Sequence, residues 1–159
     1  MSEAVSAAPP QTFNHVAMSV PASLLDAAGR AALLDFYGEV FGWTEMPTLT
    51  EDRKRLVLRA HSHEQFVFLV AGDEPMRAPA GDHFGLSVRS TAELDAILER
   101  ARGYRERDAR VEVTEEQVED YRVLKLHSFY VGFLLPLQVE VQCYDWADGV
   151  GPQSAVPGA

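Results

Sequence analysis

Two short segments of the chain alternate between polar or small residues and bulky apolar residues. They read HVAMSV over residues 15–20 and HFGLSV over residues 83–88. Alternation with a period of two is typical of a strand with one buried face. In both segments the bulky apolar residues share one face, while a histidine and the small residues after it share the other. The sequence therefore predicts two equivalent strands, each placing a histidine beside open space.

The elements that follow each of these strands come in the same order. In the first half, apolar positions spaced by three and four predict a helix over 23–42, and β-like runs follow at 44–49, 55–60 and 65–71. In the second half, a helix capped by Ser90 and ending near Tyr104 precedes β-like runs at 110–118, 121–134 and 137–144. The order of elements predicts an internal repeat of one β-α-β-β-β unit.

Length and composition place the chain among single-domain globular proteins. It has 159 residues, of which 47% are hydrophobic and 24% are charged. We expect one domain over residues 12–146, divided into module one (12–71), a connector with prolines and glycines (72–82) and module two (83–146). Residues 1–11 and 147–159 are expected to form loose tails.

Net charge and the absence of long apolar runs narrow the range of partners. A formal charge of −10 makes the chain a poor candidate for a phosphate backbone, so no nucleic acid is expected. No run of 18 or more apolar residues is present, so no membrane helix is expected. The single cysteine, Cys143, cannot form an internal disulfide, which fits a cytoplasmic protein. Alternation places Cys143 on the helix-packed face, where its thiol should be inert.

One carboxylate stands out in the last predicted strand. Glu140 lies between two valines and shares a face with Gln142 and Tyr144. A carboxylate in this position is costly to bury without a partner. If the histidine-bearing faces line one cavity, Glu140 could converge there with His15 and His83. Two histidines and one carboxylate are a facial triad for a divalent metal, and such ligands suit Fe(II), Mn, Co, Ni or Zn. A histidine that starts a strand is also often a plain surface or hydrogen-bonded residue, so this convergence is a hypothesis.

Four motifs together resemble the vicinal oxygen chelate superfamily. They are NHVA at 14–17, FYGEVFGW at 36–43, DHFG at 82–85 and VEV at 139–141. The superfamily includes glyoxalase I, extradiol dioxygenases, methylmalonyl-CoA epimerase, and fosfomycin and bleomycin resistance proteins. The resemblance implies an α+β fold in which two βαβββ modules form a half-open, cup-shaped mixed β-sheet with the helices on its outer face. It also implies metal ligands from the first and last strands of each module, which are His15, His83 and Glu140 here.

The resemblance points to several reactions without selecting one. A fourth ligand, usual in glyoxalase I and methylmalonyl-CoA epimerase, would fall at Phe68, which cannot bind a metal. A three-ligand site looks more like the extradiol dioxygenases or the fosfomycin-modifying enzymes. Tyr130 precedes Glu140 by ten residues, a spacing similar to the extradiol signature, and is a candidate proton donor or acceptor. Core packing is an equally open interpretation, because Tyr130 shares a face with Leu126 and Ser128. Gln142 and Tyr144 are candidate substrate-binding residues.

Two functions of the candidate site therefore stay open, beside a third possibility that the fold serves mainly as a dimerisation or partner-binding module. The first is a metal-dependent dioxygenase, lyase or isomerase that acts on a small molecule whose oxygens are chelated by the metal. The alternative is a metal-free protein that binds or sequesters a small molecule, as antibiotic-resistance proteins do. In both cases a homodimer is expected, since modules of this kind often pair through exposed sheet edges.

Overall fold

The computed structural model describes residues 12–151, so the predicted tail 1–11 and residues 152–159 of the second tail lie outside the described residues. Two helices are present, α1 (Ala27–Phe41) and α2 (Thr91–Arg107). The strands are β1 (His15–Val20), β2 (Thr44–Glu45), β3 (Arg55–Arg59), β4 (Phe66–Ala71), β5 (His83–Val88), β6 (Glu112–Val113), β7 (Gln117–Asp120), β8 (Leu124–Gly132) and β9 (Gln138–Trp146). Neither helix of this part of the chain has the length and apolar character needed to cross a membrane.

The strands form two mixed sheets that do not close into a barrel. The first sheet has the order β1-β4-β3-β2, and the second has the order β5-β9-β8-β6, with β7 also paired to β8. In each sheet the opening strand pairs in parallel with the last strand of its half, β1 with β4 and β5 with β9. The other strand pairs are antiparallel. The predicted α+β fold with two related sheets is therefore confirmed.

The first helix begins four residues later than the predicted residue 23. Ala22–Leu25 form a 3-10 turn, and Asp26 then adopts an extended backbone that ends this turn. The Asp26 carboxylate accepts hydrogen bonds from the amides of Ala28 and Gly29 at 3.1 and 3.0 Å, which is the geometry of an N-cap. The prediction failed because the apolar residues of the 3-10 turn continue the helical spacing of α1.

Two predicted strands differ substantially from the structure, and the others differ by up to three residues at their ends. Only Thr44–Glu45 of the predicted strand 44–49 pairs, because Pro47–Leu49 form a 3-10 turn and a proline cannot donate to a ladder. The predicted strand 110–118 is two short strands, β6 and β7, so module two has one strand more than the βαβββ pattern. All four residues of β7 are exposed, and this removes the alternation that would reveal a separate strand.

The second helix follows its prediction closely and extends three residues beyond Tyr104. The Ser90 hydroxyl accepts a hydrogen bond from the amide of Glu93 at 3.2 Å, so the predicted N-cap is confirmed. The Glu93 carboxylate accepts in return from the amide of Arg89 at 2.9 Å. Together these bonds satisfy donors that the start of the helix leaves free.

One apolar core joins the helix-facing sides of both halves. The bulky alternating residues of β1, β3, β4, β8 and β9 pack with α1 and α2 in a single buried cluster. At its centre the buried Tyr37 hydroxyl donates to the carbonyl of Phe133 at 3.0 Å. Tyr104 donates to Asp35 at 2.7 Å, and the Arg100 Nε donates to the carbonyl of Val40 at 3.0 Å. The sheet faces that carry the predicted site residues lie opposite this core.

Candidate metal centre

Each sheet has an open face, which we define as the side turned away from the helices. In the second sheet it carries His83, Gly85 and Ser87 of β5, Glu140 and Gln142 of β9, and Ser128 and Tyr130 of β8. In the first sheet it carries His15, Ala17 and Ser19 of β1, Phe66, Phe68 and Val70 of β4, and Arg55, Val57 and Arg59 of β3. The register pairs these residues across neighbouring strands, and paired residues point to the same side.

His83 and Glu140 meet on the open face of the second sheet. Gly85 is the residue of β5 that lies directly opposite Glu140 in the parallel ladder. The Oε2 of Glu140 lies 3.2 Å from the Nε2 of His83, and a Cβ at position 85 would lie in contact with this oxygen, at 3.7 Å. Glu140 is only 7% exposed, so its charge needs partners inside the protein. The sequence prediction that these two residues converge agrees with this geometry.

The hydrogen bonds of His83 determine which ring nitrogen is free. Its Nδ1 lies 2.7 Å from the carbonyl oxygen of Gly81, and a carbonyl oxygen can only accept. The Nδ1 of His83 therefore carries a proton, and the Nε2 is the ring nitrogen that faces the Oε2 of Glu140. Metal-binding histidines commonly show this arrangement, in which a backbone carbonyl orients the ring.

Tyr130 holds the other oxygen of the Glu140 carboxylate. Its hydroxyl donates to Oε1 at 2.8 Å, and its ring meets His83 edge-on with the centroids 5.1 Å apart. The hydrogen bond to the Glu140 carboxylate, together with partial burial, raises the pKa of Tyr130 above its ordinary value. A neutral Tyr130 therefore fixes Oε1 and leaves Oε2 free to face His83.

His15 lies on the open face of the other sheet, apart from this pair. Its ring is exposed and stacks on Phe66 with the centroids 4.9 Å apart and the planes within 3°. The Nδ1 of His15 donates to the amide oxygen of Asn14 at 2.8 Å, so its Nε2 is also free. Within residues 12–151, no three His, Cys, Asp or Glu side chains come close enough together to hold a metal ion. One chain therefore brings two of the three predicted ligands together.

The weaker candidates occupy the rim of the same face. Tyr144 is 43% exposed and donates to the Oε1 of Gln142 at 3.1 Å. That Gln142 oxygen would lie 3.7 Å from a Cβ at position 85, which places it beside the His83–Glu140 pair. Both side chains are thus within reach of a molecule bound at the pair. Cys143 points to the opposite, helix-packed side, where burial raises the pKa of its thiol.

Arg59 also lies on an open face, and no functional role was predicted for it from the sequence. Arg59, at the end of β3, pairs with Phe66, which in turn pairs with His15. These three side chains form a row across the first sheet. The alternation of RLVLR over 55–59 is the signal that could have placed both of its arginines on the open face.

Fold and site together define an α+β protein of two related halves, with a histidine–carboxylate pair on an open sheet face. Solved structures with this architecture exist. That of a glyoxalase/bleomycin resistance protein/dioxygenase from Alicyclobacillus acidocaldarius matches with a TM-score of 0.60 and 14% identity, covering 93% of this chain and 98% of that one. A lactoylglutathione lyase from Agrobacterium tumefaciens matches with a TM-score of 0.58 and 20% identity, covering 86% and 96% of the two chains.

A third structure contains a metal. It is a variant of the fosfomycin resistance protein FosX from Listeria monocytogenes, in complex with Mn(II) and dihydroxypropylphosphonic acid. It matches with a TM-score of 0.56 and 14% identity, covering 84% of this chain and 90% of that one. No family model and no curated protein matches the sequence. The chain thus shares the fold of these glyoxalase, bleomycin resistance and fosfomycin resistance structures, and the resemblance predicted from the sequence is confirmed at the level of the fold.

Proposed function

We propose that the protein is a metal-dependent enzyme of the vicinal oxygen chelate superfamily that acts on a small molecule. The distance between His83 and Glu140 carries this proposal. Two neighbouring ligands on a metal, with bonds of about 2.1 Å at right angles, lie about 3 Å apart. The Nε2 of His83 and the Oε2 of Glu140 are separated by 3.2 Å. With the ring neutral, two lone pairs face each other at this distance, and a shared cation would remove their repulsion.

The third ligand in this proposal is His15 of a second copy of the chain. β1 and β5 are both edge strands, and each presents an exposed histidine on its open face. The residues after each histidine on that face are small, which leaves room for an approaching chain. A dimer with twofold symmetry would form two identical sites, each taking His83 and Glu140 from one copy and His15 from the other.

The roles of the surrounding residues follow from their contacts. A bound Fe(II), Mn, Co, Ni or Zn ion would supply Lewis acidity to chelated substrate oxygens and open coordination positions for them. Tyr130 orients Glu140 through its Oε1 and, being neutral, can donate or accept a proton at its hydroxyl oxygen beside the pair. Gln142 and Tyr144 offer an amide and a hydroxyl to the polar groups of the substrate.

Metal analysis of the full-length protein tests this function. Protein purified without chelator, or reconstituted with each candidate ion, should hold about one metal per chain, and His15→Ala or His83→Ala should abolish binding. His63→Ala is a matched control, since that histidine lies in the turn between β3 and β4. Absence of stoichiometric metal from every reconstituted sample would refute the proposal.

Mixing two defective variants tests the shared site. A His15→Ala chain retains His83 and Glu140, and a His83→Ala chain retains His15. Random reassembly makes half of the dimers mixed, and each mixed dimer has one intact site, so about a quarter of the wild-type metal should return. A site formed within one chain would recover none.

The same contacts of Glu140 also support the metal-free alternative. If His83 is protonated, its Nε2 donates to Glu140, and the His83–Glu140–Tyr130 network is complete without an ion. The open faces would then bind or sequester a small molecule without transforming it. The metal analysis separates the two functions, because this alternative predicts no change in metal content when His15 or His83 is replaced.

A further inference from the structure

Three arginines of the described chain are half-buried, and one of them has no carboxylate partner. They are Arg30, Arg59 and Arg102. The other two pair with two carboxylates each: Arg30 with Glu45 and Asp52, and Arg102 with Glu99 and Glu115. No carboxylate within residues 12–151 lies within 4.0 Å of the Arg59 guanidinium, although the chain carries a net charge of −10. The Arg59 guanidinium is therefore free to pair with an anionic ligand.

Arg59 lies on the same open face as the proposed metal ligand of its own sheet, and its guanidinium bonds to Thr44 of β2, on the side of β3 away from His15. It lies two strands from His15 in the row His15–Phe66–Arg59. Neighbouring strands are about 4.8 Å apart, so the backbones of these two residues are separated by about 10 Å. A small molecule held by its oxygens near the Nε2 of His15 could extend along this row.

The guanidinium of Arg59 is oriented and only partly used. Its Nε donates to the hydroxyl of Thr44 at 3.1 Å, and this fixes the plane of the group. Its two terminal nitrogens have no hydrogen-bond partner within residues 12–151. Two parallel N–H groups in one plane match the two oxygens of a carboxylate.

Apolar residues lie between Arg59 and His15 on the open face. Phe66 and Phe68 lie on the open face, half-buried, and Val57 is buried opposite Phe68. Flat rings and a valine favour an aromatic or other flat apolar body over a sugar or a peptide backbone. Position and chemistry therefore describe a ligand that is anionic at one end and apolar along its length.

We propose that Arg59 determines substrate specificity by binding a carboxylate, and that the substrate is a small aromatic or flat apolar acid. This inference rests on the proposed function, because it assumes that the open face next to His15 is the substrate face. Arg59 would bind and orient the substrate at the end remote from the chelated oxygens, without taking part in the chemical step.

Arg55 provides a matched control within the same strand. It lies on the same face at the other end of β3, opposite Val70. It is exposed and has the Glu51 carboxylate 3.9 Å away. Replacing either arginine with glutamine removes one positive charge from this face, but only Arg59 belongs to the row that contains His15.

Binding of benzoate and of its neutral analogue benzamide to the full-length protein, measured by calorimetry with EDTA present, tests the proposal. Chelation prevents the carboxylate from binding to a metal instead of to the arginine. We expect wild-type protein to bind benzoate at least tenfold more tightly than benzamide, since a charged bidentate contact contributes about 1.5–3 kcal/mol. Arg59→Gln should remove this preference, whereas Arg55→Gln should change it by less than twofold.

The outcomes separate this proposal from the metal proposal. Equal binding of the two probes, no detectable binding of benzoate, or an equal loss in both variants would overturn the role of Arg59. Metal content is measured on the same samples without EDTA. If the metal proposal is wrong, the wild-type protein still prefers benzoate to benzamide. If the Arg59 proposal is wrong, Arg59→Gln still binds metal as the wild-type protein does.

Discussion

The hydrogen bond from Tyr130 to Glu140 makes a quantitative prediction about stability. Tyr130→Phe removes one hydroxyl and keeps the ring that packs edge-on against His83. A hydrogen bond to a charged group contributes about 1.5–3 kcal/mol, and the partial exposure of Tyr130 favours the lower end. We therefore expect the free energy of unfolding of the metal-free protein to fall by about 1.5 kcal/mol at pH 7 and Tm to fall by about 4 °C.

Tyr144→Phe is the control for this measurement. Its hydroxyl donates to the neutral amide of Gln142, and the side chain is 43% exposed. Its removal should cost less than about 0.5 kcal/mol, as for other exposed surface substitutions. Urea denaturation followed by fluorescence measures both variants under the same conditions.

A double-mutant cycle identifies the source of the loss. In a Glu140→Gln background the Tyr130 hydroxyl can donate only to a neutral amide oxygen, so Tyr130→Phe should cost about half as much. An equal cost in both backgrounds, or a cost no greater than that of Tyr144→Phe, would show that the carboxylate contact does not stabilise the protein.

The pH dependence of the Tyr130 contribution has a definite sign. The folded protein raises the pKa of Tyr130 above its unfolded value of about 10. The stabilising contribution is therefore fully present below pH 10 and is lost as the pH rises through the higher folded pKa. The difference in stability between wild type and Tyr130→Phe should be constant from pH 7 to 9 and narrow above about pH 10.

Two further predictions concern the fold. Gly29→Ala should destabilise the protein by at least about 1–3 kcal/mol in urea denaturation, because its Cβ would lie 2.3 Å from the carbonyl oxygen of Leu24. Gly103→Ala in α2, where nothing lies within 4 Å of the new Cβ, should instead stabilise the protein by about 0.5–1 kcal/mol. A change of the same sign in the free energy of unfolding of both variants would contradict the packing described. The buried Cys143 thiol, whose pKa is raised, should react with a thiol reagent only after unfolding, so rapid labelling of native protein would contradict its burial.

The site contacts that the sequence predicted well lie within one sheet. His83 and Glu140 lie on adjacent paired strands, so alternation alone places them on the same face and the order of elements makes the strands neighbours. The same applies to Tyr130, which lies directly opposite Glu140 in the β8–β9 ladder. Periodicity and topology determine these contacts without any knowledge of how the sheets pack.

The features that the sequence did not predict depend on contacts between distant parts of the chain, or on segments where two local patterns predict different structures. The position of His15 relative to His83 depends on how two sheets are arranged, and no periodic pattern encodes that arrangement. The missing partner of Arg59 is visible only once every nearby carboxylate has been placed. The start of α1 was wrong because Asp26 acts as a cap only if the apolar residues before it leave the helix.

The shared core on the helix side has a consequence for how two copies can assemble. The two halves of one chain are held together by a common apolar cluster and by the buried bond from Tyr37 to Phe133. Exchange of whole modules between chains would have to open that cluster before it re-forms between the two chains, with a kinetic barrier comparable to that of unfolding. The proposed dimer would therefore form between chains that are already folded, by docking of their open faces and edge strands. The rate of dimer formation should scale with protein concentration and show no slow phase from partial unfolding.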